Sequence, residues 1–584
     1  MTDVVKTPLQ ELTERFQQAV ARAFGPEHAE LDPLVRRSDR ADFQANLAMS
    51  LSKRVGVKNP RDVAQQVIAA LQVDDVCEKV EIAGPGFINL TLKNSYLDAL
   101  LSASLRDPRL GVATTQRPET VVVDYGGPNV AKEMHVGHLR PCVIGDCLVR
   151  VLEFAGHRVI RQNHIGDWGT PFGMLIEHLL DLGGTGSAAD LSVGELDAFY
   201  KAARKKFDGD PAFAERARQR VVLLQGGDAT TLQLWRALVD ASTLHFEKVF
   251  ARLGVTMTSA DTRGESFYNR FLPEIAADLE QRGIARLEGG ALCVFPEGFK
   301  NRDGAPLPVI VRKSDGGFGY AATDLAALRF RAQELHGTRI LYTVDSRQAQ
   351  HFAMVFAVAR QAGYVPEGVR TEHIGFGSIL GNDRKPMKTR DGGTLRLIEL
   401  LDEGRDRALA QLAERQVDLS EDAKLQLAQS LSLAAIKYTD LSSDRIKDYV
   451  FDWDRMLAAE GNTGPYLQYA QARRRSLLRK LAPGEVIDPG AIRIQHDRER
   501  ALALSLIGFA EAVEAVATGL EPHKLCGFLH EIASGFASFW VECPVLKDET
   551  PPEVRASRIA LSDLTGRVLV QGMSLLGIDA PERM

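Results

Sequence analysis

The chain has 584 residues, 45% hydrophobic and 25% charged, with a formal net charge of −6, which provides for three or four domains and excludes a disordered or fibrous chain. The acidic balance argues against nonspecific adhesion to nucleic acid, though not against a shaped RNA partner met by local basic patches. No uncharged apolar run approaches the roughly 18 residues that span a bilayer, and the N-terminal MTDVVKTPLQELTERF carries no secretory core, so a cytoplasmic protein without membrane contact is expected.

Residues 1 to about 110 read as a unit of their own: two helical patterns, then VEIAGPGFINLTL, in which Gly84, Pro85 and Gly86 turn the chain into an alternating strand. The polar RDPRLGVATTQRPET follows as a linker. Residues 121–123 are a continuous apolar run of the buried parallel-strand kind. Beyond HVGH, Ile144, Leu148, Val151, Leu152 and Ala155 recur on one helical stripe with Asp146, Arg150 and Glu153 opposite, and Gly156 supplies the stop. Val159 and Ile160 begin a second strand, which makes the segment a βαβ unit.

From about 181 to 260 the pattern is helical and charged, an insertion between two half-folds. The second half returns with RILYTVDSR, a helix ended by Gly363, and the strand EHIGFGSIL ahead of the polar loop GNDRKPMKTRDGG. A helical connector over 401–455 and a helical domain over 456–584 complete the chain. The expected fold class is α/β: a Rossmann-type parallel-sheet catalytic domain over 111–400 with its insertion, an N-terminal α+β domain over 1–110 and a C-terminal α-helical bundle. The six cysteines form no CxxC pair and read as reduced, mostly buried thiols. Cys142 and Cys147, five apart on one helix, point in different directions, and no structural zinc is expected.

His135, Val136, Gly137 and His138 stand at the carboxyl end of the first strand, where open α/β sheets bind ligands. With 13 His and 50 Gly in 584 residues, chance gives roughly 0.025 His-x-Gly-His tetrads, which disfavours two incidental histidines at a helix start. Free N–H groups and the dipole at a helix start attract phosphate, and two imidazoles add donors. Gly137 leaves room for an adenine ring to lie on the backbone. The arrangement is that of an ATP site.

Together with RQNHIGDWGT, KSDGGFGYAATD, VDSRQAQHF, PMKTR and EGNTGPYLQYAQARRR, in this order, VDYGGPNVAKEMHVGHLR makes the chain closely resemble the bacterial arginyl-tRNA synthetases, which are class I aminoacyl-tRNA synthetases. The resemblance runs nearly end to end. It implies adenylation of L-arginine by ATP with Mg²⁺, then transfer to the 2′-hydroxyl of the terminal adenosine of tRNA(Arg), by a monomer with no covalent nucleophile. Discrimination through unpaired polar groups can reach about 10⁴ to 10⁵, so no editing site is expected.

By the same resemblance His135, Gly137 and His138 hold ATP, the histidines acting in catalysis. The family's lysine loop is degenerate and here reads Lys388, Thr389, Arg390: Lys388 and Thr389 are ATP contacts, and Lys388 and Arg390 are catalytic candidates. Lys132, just ahead of the histidine motif, stands where the family is thought to supply the missing charge. Taken alone, KTR reads as a solvated basic loop.

A guanidinium is a flat fork of five donors, so a selective pocket should present carboxylates to it. The resemblance assigns Tyr320 to the pocket lining and Asp324 to the guanidinium, with Gln348 and Asn129 on the substrate's polar groups. Asp124 is expected at the α-amino end, and Glu265 as a second guanidinium carboxylate. For a lone Asp at a helix start the competing reading is an N-cap.

The N-terminal unit resembles the family's additional tRNA-binding domain, with Phe87 and Asn89 as candidates for the tRNA elbow. A turn and strand serving only the local core accounts for them equally. In the anticodon-binding part, Tyr466, Tyr469, Arg473, Arg475 and the terminal Met584 are the candidate contacts, against a solvated basic face with tyrosines partly in the core.

The chain departs from the family pattern at Gly126 and Gly127, where serine is common, at Pro141, tolerable only in a first helical turn, and at Pro171, where glutamine is frequent. Two other readings were weighed. A small-molecule nucleotidyltransferase also uses His-x-Gly-His but leaves both terminal regions unexplained. A catalytically silent RNA-binding relative is opposed by intact Lys132, His135, His138, Asp324 and Gln348.

Overall fold

The computed structural model describes residues 6–183, 196–387 and 395–584. Lys388, Thr389 and Arg390, singled out above, lie outside the described residues.

Four parallel strands make the central sheet, in the order Arg370–His373, Arg339–Tyr342, Thr120–Asp124, Arg158–Gln162. Val121, Val122, Val123, Ile340 and Leu341 are fully buried, as expected where helices cover both faces of a parallel sheet. The helix Leu139–Phe154 connects one strand pair and the helix Ala349–Gln361 the other. The two halves run outward in opposite directions from the pair Thr120–Asp124 and Arg339–Tyr342, in register from Arg339 opposite Val121 to Tyr342 opposite Asp124. That pair is the topological switch point, and its carboxyl end opens the crevice in which such sheets bind ligands.

Between the halves lie the helices Leu196–Gly209, Pro211–Gln225 and Ala229–Leu253, the last two started by Asp210 and Asp228 side chains that accept backbone N–H groups. A second structured segment follows that the sequence reading did not resolve. It is a three-stranded antiparallel sheet of Ala285–Glu288, Ala291–Val294 and Val309–Arg312. Strands of four residues carry too little alternation to be recognised by period.

The N-terminal region is an antiparallel sheet in the order Arg36–Arg37, Phe43–Ala45, Phe87–Leu92, Cys77–Ala83, backed by helices. The C-terminal region is helical, as expected from about 400 onward, with one exception. Tyr449–Val450 pairs in parallel with Ile379–Leu380 of the catalytic region. The stretch Asp497–Gly519 is long and apolar enough to cross a membrane. It is divided into the helices Asp497–Leu506 and Phe509–Gly519, and their Leu502, Leu506, Phe509, Val513 and Val516 are buried in the protein core.

One expectation is corrected here. Asp146 was placed on a polar face of the Leu139–Phe154 helix, yet it is buried. Its carboxylate accepts the Thr256 N–H at 2.7 Å and hydroxyl at 2.5 Å, and Arg150 Nε at 2.7 Å. Elements distant in sequence pack over the helix at Asp146, while Glu153 near its end stays exposed, as expected. Pro141 does fall in the first turn of that helix, and Pro171 opens the helix Pro171–Asp181, where its missing N–H costs nothing.

Candidate active site

From Asp124 the chain enters the crevice through Gly126 and Gly127, at φ of +92° and +59°. Both values belong to the left-handed region, so glycine suits each position better than the family's serine. The Gly127 N–H donates to Asn163 Oδ1 at 3.0 Å, and Asn129 bridges to Gly166, which ties the two loops at the strand ends together. Asn129 lies exposed at the crevice.

His135 then caps a single 3-10 turn, Val136–His138, that leads into the long helix. Its Nδ1 accepts the Gly137 N–H at 3.1 Å, and the His135 N–H donates to His138 Nδ1 at 3.1 Å. Both rings are therefore held as Nε2–H tautomers with centroids 4.1 Å apart. Burial lowers the pKa of His135, with Lys132 adding to the effect, and burial followed by His135 lowers His138 to about 3. The pair acts as two neutral N–H donors.

At Gly137 an added Cβ would meet His135 Cε1 at 2.8 Å, so the imidazole packs against this position. Lys132 carries its ammonium 4.5 Å from the Tyr200 ring centroid on the insertion. The segment after the undescribed 388–394 returns to the motif: the Val136 N–H donates to Leu395 O, and the Leu397 N–H to Met134 O, both at 2.9 Å.

Four carboxylates gather at the other side of the crevice. Asp324, near the start of the helix Tyr320–Gln333, accepts His351 Nε2–H at 2.6 Å on Oδ2. Asp167 accepts the Ser266 N–H at 2.8 Å and hydroxyl at 2.6 Å, and burial raises its pKa. Glu265 is pushed up to about 7 by burial, then by Asp167 and Asp324. Asp124 pairs at 2.8 Å with the fully buried Arg331, which also lies over the Tyr342 ring.

Asp124, expected at the substrate's α-amino end, has its Oδ2 on Arg331. Tyr320, expected to line the pocket, opens its helix at the crevice mouth and is 77% exposed. Gln348 is exposed at the end of the turn Ser346–Gln348, above the same strand ends. The sequence reading did not assign Asp167, Arg331 or His351. HIGDWG was visible as a polar stretch after a strand, but Arg331 sits inside a helix with no local signal of an ion pair.

Comparison with known proteins follows the same outline. Residues 100–453 match the family described as tRNA synthetases class I (R), catalytic domain, residues 10–92 the arginyl tRNA synthetase N terminal domain, and residues 467–584 the DALR anticodon binding domain. The chain belongs to the arginyl-tRNA synthetase family. The arginine--tRNA ligase of Thermobifida fusca is 50% identical over 98% of this chain and 99% of its own length, and that of Edwardsiella ictaluri 48% identical over the same shares. The solved arginyl-tRNA synthetase of Plasmodium falciparum aligns over the whole of both chains at a TM-score of 0.84 and 27% identity. That of Thermus thermophilus covers 99% of this chain and all of its own at 0.82 and 26%.

In this chain Tyr469, Arg473 and Met584 come together, with Arg479 and Arg583, in the lining of a cavity of about 380 Å³. Arg475 instead turns to Glu582 at 3.2 Å. Tyr466 packs on the core with its ring 5.7 Å from that of His530. Phe87 and Asn89 share the partly exposed face of their strand, where Asn89 Oδ1 accepts Gln44 Nε2–H at 2.7 Å.

Proposed function

We propose that this chain ligates L-arginine to tRNA(Arg) in two steps driven by Mg-ATP. In the first, the arginine carboxylate attacks the α-phosphorus and pyrophosphate leaves. In the second, the 2′-hydroxyl of the terminal adenosine attacks the carbonyl of the adenylate and AMP leaves. Family membership supports the reaction, and the crevice supplies parts suited to it. The Nε2–H donors of His135 and His138 are oriented before any substrate arrives, so they meet charge on phosphate oxygens without reorganisation. Mg²⁺ enters with ATP and stabilises the same charge. Lys132 reaches the triphosphate by leaving the Tyr200 ring.

The observation that carries the amino-acid assignment is the acid cluster. Asp167 and Asp324 both add to the burial that raises Glu265, and a guanidinium placed among the three removes that repulsion while presenting a fork of donors. Lysine offers a point charge and leaves acceptors unpaired. On the tRNA side, Tyr469, Arg473 and Met584 combine a stacking ring, a phosphate partner and an apolar edge, the composition that receives an unstacked base.

The test is ATP–pyrophosphate exchange with each amino acid, with and without tRNA(Arg). Exchange with arginine in the presence of tRNA is expected, and exchange with lysine instead overturns the assignment. His138→Ala is expected to lower kcat by about 10² to 10³ with the fold intact.

A further inference from the structure

Asp324 does not face its pocket alone. His351, in the first turn of the helix Ala349–Gln361, places Nε2 2.6 Å from Asp324 Oδ2. The ring is held edge-on to Phe352 at 5.3 Å, and Phe352 in turn stacks on His373 at 5.4 Å, while His373 Nε2–H donates to Val344 O at 2.9 Å. The histidine thus stands on a fixed aromatic stack rooted in the second half of the sheet.

We propose that His351 is a positioning residue for arginine recognition. By occupying Oδ2 of Asp324 it turns Oδ1 toward the substrate, so that the guanidinium takes one oxygen from Asp324 and completes its fork on Glu265. The inference deepens the function proposed above and rests on it.

Three of the four carboxylates support this division of labour. Asp124 is held by Arg331, Asp167 by the amide and hydroxyl of Ser266, and Asp324 by His351. Glu265 instead has Asp167 and Asp324 as its charged neighbours, with one backbone hydrogen bond from Trp168. It is the group with most to gain from a cation. A carboxylate fixed at one oxygen cannot swing about its terminal torsion, which removes an ordering cost from binding and sets the plane in which the fork arrives.

The experiment compares His351→Ala and His351→Gln in the full-length protein, measuring equilibrium binding of arginine and of ATP separately, with thermal melts to establish folding. His351→Ala is expected to weaken arginine binding by about 10- to 100-fold while leaving ATP binding within about twofold. His351→Gln, which retains an N–H donor of similar reach, is expected to recover most of the loss. Unchanged arginine binding in His351→Ala overturns the inference, as does an equal loss of arginine and ATP binding in both variants. Wild-type protein that binds ATP but not arginine overturns the function reading itself, and this inference with it.

Discussion

At the scale of single residues, the crevice separates neutral donors from acidic acceptors by controlling who is paired. The two imidazoles are held neutral by burial and by backbone N–H groups on Nδ1, whereas Glu265 is raised by burial and then by its acidic neighbours. A carboxyl raised to about 7 is largely protonated below that pH, and a guanidinium binds the ionised form. Arginine affinity should therefore weaken as pH falls through 7, approaching tenfold per unit at the acid end. Titration calorimetry across about pH 5.5 to 8 reads this slope, and Glu265→Gln should both weaken binding and flatten it. A pH-independent affinity in the wild type would remove Glu265 from the site. His135, His138, Asp124, Glu265 and Asp324 are named by motif order, whereas Asp167 was not singled out within HIGDWG. The partners were not named either: Arg331 and His351 lie 207 and 27 positions from the carboxylates they hold.

At the scale of elements, the turn after Asp124 explains a departure that sequence alone left unresolved. Gly126 and Gly127 both have positive φ, and a Cβ on Gly126 would meet Asn163 Oδ1 at 3.2 Å, against 3.5 Å to His164 O for Gly127. Gly127→Ala should cost about 1–2 kcal/mol, and Gly126→Ala more, because +92° lies further from the left-handed basin. Urea unfolding of both variants gives the order, and the reverse order would mean that the contact with Asn163 is relieved without strain. The long helix after HVGH was legible from its apolar stripe, and its start was placed correctly by the motif. Of its polar stripe, Glu153 is exposed and Asp146 buried, because periodicity reports the faces of a helix and cannot report where a further layer covers one of them.

At the scale of the whole molecule, buried charges join the catalytic helix to the C-terminal region. Arg140, two residues past His138, pairs with Asp440 at 3.3 Å. Lys437, on the same helix Glu421–Ser442, donates to Gly254 O at 3.0 Å and Gly577 O at 2.6 Å. Removing it as Lys437→Met strands two carbonyls and should cost about 1–3 kcal/mol. Burial lowers Lys437 to about 8 from 10.5. Between those values the unfolded chain binds more protons than the folded one, so this group makes stability rise with pH. The stability difference between wild type and Lys437→Met should therefore grow from pH 8 to 10.5. Denaturant melts at both ends of that window measure it, and a constant difference would show that Lys437 is not held at a lowered pKa.

The amino-acid sequence by itself determined the family, the parallel βαβ halves and the helical C-terminal region, and it named His135, His138 and Asp324 at the crevice. Each is carried by local periodicity or by ordered motifs, which need no knowledge of distant contacts. Only the tertiary structure decided which charges are already paired, which aromatic rings face the core, and which glycines are required. Those properties depend on groups brought together across hundreds of positions, and a one-dimensional pattern holds no record of the distances between them.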